Sequence, residues 1–257
     1  MKIKPTNNLY LSVVIPVFNE EKRIDNLLKI DKVLLKLSQP TEIIVVNDGS
    51  NDKTLKLLKR FNVNTPLRII SYKVNKGKGY AVKKGMLAAH GKYRLFMDID
   101  LSTKPEQIMK FLKKIEKGYD VVIGSRKIKG ARVTNRQSIL RENLGKTFTA
   151  LSKVVLEVPI SDFTCGFKMF RDSASYKIFR LQKLNRWGFD SEILFLAVRK
   201  KLRLIEVPIE WENKPYSKVK FPQDLIGSFI ELLQIRINYY KGRYNQFEKT
   251  SVSNGVS

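Results

Sequence analysis

The stretch LYLSVVIPVFNEE, residues 9–21, is apolar on both faces through Phe18, rich in β-branched residues, and ends abruptly on a polar cluster. A strand of that composition is covered from both sides, as strands of a parallel sheet are. An acidic and then amphipathic segment follows, from Glu20 to Leu37, and the unit then recurs. TEIIVVND (41–48), PLRIISY (66–72), KYRLFMD (92–98) and YDVVIGS (119–125) read as further strands, separated by helical spacing near 52–61, 79–90 and 105–117. This alternation predicts an α/β fold, a mainly parallel sheet with helices on both faces. Ligands of such sheets bind outside the carboxyl ends of the strands.

Polar clusters stand at each of those ends: NEE (19–21), NDGS (47–50), NKGKG (75–79), DIDLS (98–102) and GSRK (124–127). Asp, Asn, Ser and Gly also serve as helix caps and turn residues, so each cluster taken singly has a backbone explanation. Recurrence after every strand favours a shared site. Beyond Arg126 the alternation stops. Residues 131–157 read as a basic helical segment, CGFKMF (165–170) as a short strand, 173–180 and 190–200 as helices, RLIEVPIEW (203–211) as a strand and 222–240 as a long helix. The polar tail beyond Asn245 has the composition of a disordered segment.

The totals restrict the chemistry. The chain has 257 residues, 43% of them hydrophobic, enough for one substantial core. It has one cysteine, Cys165, and one histidine, His90, which excludes internal disulfides, Cys/His zinc sites and most histidine-based triads. Reaction chemistry is left to carboxylates, Lys, Arg, Tyr or an oxygen-held metal. No stretch approaches the roughly 20 apolar residues of a membrane span, and residues 1–8 lack a signal-peptide core, so a cytoplasmic location is expected. A net charge of +25 implies a polyanionic partner: nucleic acid, anionic lipid or phosphorylated ligands.

In an extended strand residues i and i+2 share a face, so a strand continuing through Asp100 would aim Asp98 and Asp100 the same way. Two carboxylates so placed suit Mg²⁺ or Mn²⁺, with substrate phosphate oxygens completing the shell. NKGKG offers glycines for close backbone approach and lysines for phosphate charge, Arg126 ends a neighbouring strand, and Asp48 is placed to accept hydrogen bonds from a nucleobase imide or a ribose hydroxyl. A nucleotide diphosphate fits this set. Neither G-x-x-x-x-G-K-[ST] nor G-x-G-x-x-G after the first strand is present, which disfavours ATP hydrolysis and hydride transfer.

VVIPVFNEE (13–21), VVNDGSNDKT (45–54), NKGKGYAVKKGM (75–86), DIDLS and VIGSR (122–126) together resemble the inverting nucleotide-sugar glycosyltransferases of family 2, which have the GT-A fold. DFTCGFKMFR (162–171), RWGFDSEILFLA (186–197) and VPIEWENKPYSKV (207–219) are similar to the branch that acts on polyprenyl phosphates, most closely the dolichyl-phosphate β-glucosyltransferase group. The resemblance implies a catalytic domain over 1–220, a C-terminal helix over 221–244 and a tail over 245–257. It implies that Pro16, Phe18, Asn19 and Glu20 line the base and ribose pocket, that Asp48 contacts the nucleobase, and that Gly77 and Lys78 lie beside the nucleotide. Asp98 and Asp100 match the family's DxD metal motif, Arg126 a phosphate-contacting arginine, and Arg141 a helix arginine near the acceptor phosphate. Asp162, Asp190 and Glu192 match carboxylates near the reaction centre. Ser102 departs from the glutamine often found there in the mannosyltransferases, and the membrane helix usual at the start of the eukaryotic glucosyltransferases has no counterpart ahead of the first strand.

What the resemblance implies is inverting transfer of a hexose, glucose from UDP-glucose, to a polyprenyl monophosphate on the cytoplasmic membrane face, in the service of protein glycosylation. Other donors such as GDP-mannose, or a glycan or protein hydroxyl acceptor, stay open, as does a base role for Asp190 or Glu192 with such an acceptor. The segment 131–157 mixes Arg132, Arg136, Arg141, Lys146 and Lys153 with apolar residues at helical spacing. It reads equally as an ordinary amphipathic core helix or as a helix lying on an anionic membrane surface. A nucleic-acid-binding protein and a sugar nucleotidyltransferase are the rivals. The basic residues are spread without a nucleic-acid motif, so no nucleic acid partner is expected.

Overall fold

The computed structural model describes residues 9–135, 139–214 and 223–245, except the side chains of 139–141 and 223–226. Five strands, β1 (Leu11–Val17), β2 (Thr41–Asp48), β3 (Leu67–Tyr72), β4 (Tyr93–Met97) and β5 (Val121–Ser125), fall within two residues of the expected bounds. Between them lie α1 (Asn26–Leu34), α2 (Thr54–Arg60), α3 (Lys78–Ala88) and α4 (Ile108–Ile115), the last preceded by a 3₁₀ turn at Pro105–Gln107. There follow β6 (Arg132–Thr134), α5 (Ile139–Leu156), β7 (Phe167–Arg171), α6 (Asp172–Leu181), α7 (Phe189–Arg199), β8 (Leu204–Pro208), β9 (Glu210–Glu212) and α8 (Gln223–Tyr240).

The main sheet has seven strands in the order β3-β2-β1-β4-β7-β5-β8. The β1 to β4 strands pair in parallel, as do β5 and β8, whereas β7 runs antiparallel between β4 and β5. Alternation along each strand divides two cores: Val14, Ile44 and Val46 pack under α3, α5, α6, α7 and α8, while Val13, Ile15, Ile43 and Val45 pack under α1, α2 and α4.

Three expectations are corrected. Residues 131–157 are not one helix: Arg132–Thr134 pairs in parallel with β9 and the helix begins at Ile139. The strand expected over 203–211 is two, because Pro208 has no N–H to continue the ladder and the chain passes from β8 in the main sheet to β9 in a two-stranded one. The strand before the two aspartates stops at Met97, and Asp98–Asp100 turn away from it, with Leu101 at φ 55°. Residues 246–257, expected to be a disordered tail, lie outside the described residues. The C-terminal helix shares a core with the sheet: Leu232 and Ile235 are buried in it.

Candidate active site

The loops after β1 and β2 are sewn together. Asn19 adopts φ 51°, a left-handed conformation that Asn tolerates, and its N–H donates to Ser50 Oγ at 2.9 Å. Its own Oδ1 accepts from Asn51 N–H at 2.8 Å, and the Glu20 N–H donates to Thr54 Oγ1 at 2.7 Å. The Glu20 carboxylate accepts from Arg23 at 2.9 Å. Pro16 sits beyond Val14, the last β1 residue in register with β4, so its missing donor interrupts no pairing on that side. Pro16, Phe18, Asn19 and Glu20 thus stand together at the carboxyl end of β1, beside the end of β2.

Asp48 closes the next loop. Buried at the end of β2, it accepts from Lys76 N–H at 2.8 Å through Oδ1, and from Gly77 N–H at 2.9 Å and Asn75 Nδ2 at 2.8 Å through Oδ2. Its two oxygens are engaged in shaping the 75–77 turn that opens α3. Gly77 sits at φ 103°, and a Cβ there would lie 2.4 Å from Asn185 O. That glycine is required by packing against the segment before α7, a reason distinct from the close approach to a nucleotide expected of it.

Lys78, the first residue of α3, reaches across to Asp98, with Nζ and Oδ1 2.7 Å apart. Gly166 makes room for that carboxylate, since a Cβ on it would fall 2.1 Å from Asp98 Oδ2. Asp100 accepts the Ser102 N–H at 2.8 Å, and the same loop is tied to β9 by Glu212 N–H donating to Ser102 O at 2.8 Å. Burial, and then the charge of Asp98, raises the pKa of Asp100. Burial alone would lower that of Lys78, but Asp98 and Asp190 raise it overall. Two carboxylates held this close, one of them short of compensating charge, suit a divalent cation. Among the described residues no group of three or more His, Cys, Asp or Glu side chains converges on a metal position, and Mg²⁺ is commonly held by one or two carboxylates with water and substrate phosphate oxygens.

Arg126, at the end of β5, makes a forked contact with the fully buried Asp162: Nε to Oδ2 at 2.7 Å and Nη2 to Oδ1 at 2.8 Å, with the Arg126 N–H adding a third bond at 3.0 Å. Nη2 also donates to Thr164 Oγ1 at 2.9 Å, and the guanidinium lies 5.2 Å from the Trp211 ring centre. Nη1 donates to no described residue. Burial would raise the Asp162 pKa, but the guanidinium overrides it and holds the carboxyl far below the usual range.

Asp190, in the first turn of α7, pairs with Lys168 of β7 at 2.5 Å and is within electrostatic reach of Lys78 and Asp98. Burial raises its pKa. Glu192 is elsewhere. Two residues along an α-helix is about 200° of rotation, and Glu192 spends both oxygens on the Lys183 and Leu184 N–H groups, at 2.9 and 2.8 Å, and on the Tyr244 hydroxyl at 2.6 Å. Glu192, expected near the reaction centre, clamps the segment before α7 and the end of the chain after α8. Arg141 falls on α5, its side chain outside the described residues.

The structure therefore brings Lys78, Asp98, Asp100, Arg126, Asp162 and Asp190 together and adds residues that sequence reasoning missed. Lys168 is the clearest, and its signal was a lysine inside the apolar run CGFKMF. Trp187, 5.8 Å from Lys78 Nζ, and Trp211 are the others.

A sheet whose carboxyl ends gather paired aspartates, a helix-opening lysine and a forked arginine is a GT-A framework with a charged cluster at its strand ends. The pattern of glycosyl transferase family 2 matches residues 12–179, and the chain belongs to that family. It is 34% identical over 256 residues to a dolichyl-phosphate β-glucosyltransferase of Dictyostelium discoideum, covering 93% of this chain and 77% of that one. It is 36% identical to the Saccharomyces cerevisiae protein of that name (94% and 78% covered) and 30% identical to the human one (95% and 80%). Among solved structures, glucosyl-3-phosphoglycerate synthase of Mycobacterium tuberculosis in complex with Mn²⁺, UDP and glucosyl-3-phosphoglycerate superimposes with a TM-score of 0.59 at 19% identity, over 92% of this chain and 80% of that one. A likeness so distant in sequence speaks for the fold.

Proposed function

We propose that the protein transfers glucose, with inversion, from UDP-glucose to a dolichyl-type polyprenyl monophosphate at the cytoplasmic face of a membrane. The observation that carries this reading is the convergence of Lys78, Asp98, Asp100 and Arg126 outside the carboxyl ends of β3, β4 and β5, in a chain whose relatives bear the name of that reaction. The loops at 16–20 and 48–50 form the base and ribose end, and Gly77 and Lys78 flank the diphosphate. Asp98 and Asp100 would hold Mg²⁺ or Mn²⁺, which when bound supplies charge compensation to the departing nucleotide diphosphate. Lys78 adds fixed positive charge from the protein.

The acceptor is a phosphate monoester whose second pKa is about 6, so at pH 7 it is already the nucleophile. No strong base is needed, and the residues present act by alignment and electrostatics. With Nε and Nη2 committed to Asp162 and Thr164, Arg126 presents Nη1 to the acceptor phosphate.

Access to a lipid-borne acceptor is supported by α8, where Ile230, Leu233, Ile237 and Tyr240 are 63%, 57%, 44% and 71% exposed. At helical spacing these fall on one face, and Leu151 and Val154 of the neighbouring α5 extend it. Exposed Lys146 and Lys153 of α5, with Lys241 and Arg243 in the turn after α8, suit anionic headgroups. No described helix is long and apolar enough to cross a membrane. The reading is peripheral attachment, α8 lying at the interface.

The test incubates the purified protein with Mn²⁺ or Mg²⁺, a short polyprenyl phosphate and, in turn, UDP-glucose, UDP-galactose, UDP-N-acetylglucosamine or GDP-mannose, with product read by mass spectrometry. A metal-dependent glucosyl phospholipid from UDP-glucose, lost in Asp100→Ala, is expected. A product from another donor overturns the donor, and product on a hydroxyl acceptor alone overturns the acceptor.

A further inference from the structure

Lys168, the second residue of β7, is fully buried in a strand that is otherwise apolar as far as Arg171 at its end. An ammonium has three protons to place, and all three are placed: on Phe163 O at 3.0 Å, Cys165 O at 2.7 Å and Asp190 Oδ1 at 2.5 Å. The first two acceptors belong to the loop that carries Asp162 and Thr164, which hold Arg126, and that runs into Gly166, which seats Asp98. The third is the carboxylate that faces Lys78. In register, Lys168 stands opposite Phe96 of β4 and Ile123 of β5, the strands that lead to Asp98 and Arg126. One ammonium thus touches the supports of both charged pairs.

A buried ion pair is poor material for stability, since apolar residues of similar volume in its place are commonly neutral or stabilising. Its presence here needs a different account. The carboxylates of Asp98, Asp162 and Asp190 are each paired with a cation, Lys78, Arg126 and Lys168 in turn, while Asp100 accepts the Ser102 N–H and makes no ion pair with a described residue. Without Lys168, Asp190 loses its ion-pair partner and is left within electrostatic reach of Lys78, in competition with Asp98.

Resting on the function proposed above, we propose that Lys168 is a positioning residue for the transfer: it anchors Asp190 and the 162–166 loop so that Lys78 stays on Asp98 and Arg126 stays directed at the acceptor. It touches no substrate. Its effect passes through the placement of Lys78 and Arg126, where a displacement of about 1 Å can cost on the order of 100-fold in rate.

The test compares wild type with Lys168→Met and with the double variant Lys168→Met/Asp190→Leu, which replaces the pair by apolar groups. Lys168→Met is expected to lose thermal midpoint, with kcat down about 100-fold and donor KM within about threefold. The double variant is expected to recover the midpoint, because no charge is left unpaired, but not kcat. Recovery of both marks the pair as structural only and overturns the proposal, as does a kcat preserved in Lys168→Met. A crystal structure of Lys168→Met, or of the double variant if the single one does not fold, separates this inference from the reading beneath it. If wild type makes no glycolipid from any donor, the function falls, and the placement role still fails if the Lys78–Asp98 and Arg126–Asp162 contacts are unchanged in the crystal.

Discussion

The loops after β1, β2 and β3 and the segments after β5 hold their functional side chains by different means. In the first region the ties are backbone N–H groups donating to Ser50, Thr54 and Asn19, mostly within reach of water, with the buried Asp48 carboxylate as the exception. In the second the ties are charges removed from water: Arg126 on Asp162, Lys168 on Asp190, and Glu192 under two N–H groups and a tyrosine hydroxyl. Losing a neutral hydrogen bond near the surface lets water substitute. Losing one member of a buried pair strands the other. The same site should therefore be tolerant along one wall and brittle along the other.

Asp162→Asn tests the brittle wall most severely, because it leaves Arg126 with a neutral partner and a donor facing its own. We expect a loss of about 3–5 kcal/mol in chemical denaturation at pH 7. The sign with pH follows from the lowered native pKa: the charge of Asp162 stabilises fully above its unfolded value of about 3.9 and is lost as pH falls below it. The gap between wild type and variant should narrow below about pH 4, and a gap constant from pH 7 to pH 2 would break the comparison.

Glu192→Gln comes next. An amide keeps one acceptor but turns an NH₂ toward groups that donate, at an expected cost of about 1–3 kcal/mol, with kcat unchanged in the glycolipid assay. A loss of kcat in protein of wild-type stability would return Glu192 to the reaction centre. On the tolerant wall, Ser50→Ala should cost about 1 kcal/mol and show itself in donor KM, as the loops after β1 and β2 loosen. An effect as large as that of Asp162→Asn would erase the contrast. The smallest stability change, within about 0.5 kcal/mol, is expected from Ile237→Ser on the exposed face of α8. Its measurable consequence is weaker retention on vesicles containing anionic phospholipid, and undiminished retention would remove α8 from the membrane.

Regular repetition made the first region legible. Strands 41–48 and 66–72 could be read almost to the residue, because composition, alternation and the polar stop all agree. The second region was less so. Nothing in CGFKMF announces a strand that turns antiparallel and inserts between two others, since pairing with strands 45 to 78 positions earlier leaves no local trace. Ile209 concealed the break between β8 and β9 by being apolar and buried in a strand-like run. Asp98 and Asp100 were read as a strand's shared face although the chain turns between them. Asp190 and Glu192, alike in the sequence, are separated by helix rotation into an ion-paired carboxylate and a clamp.

The antiparallel placement of β7 also sets an order of events during synthesis. β4 ends at Met97 and the strand that covers its free edge begins at Phe167, so about 70 further residues must be made before that edge is paired. At about 5–20 residues per second this leaves the edge exposed for roughly 4–14 s on each nascent chain. An unpaired edge is a template for intermolecular pairing. Chains stalled between β5 and β7 would thus carry both the nucleotide loops and an open aggregation edge, and expression yield should respond more to translation speed across 126–167 than anywhere earlier.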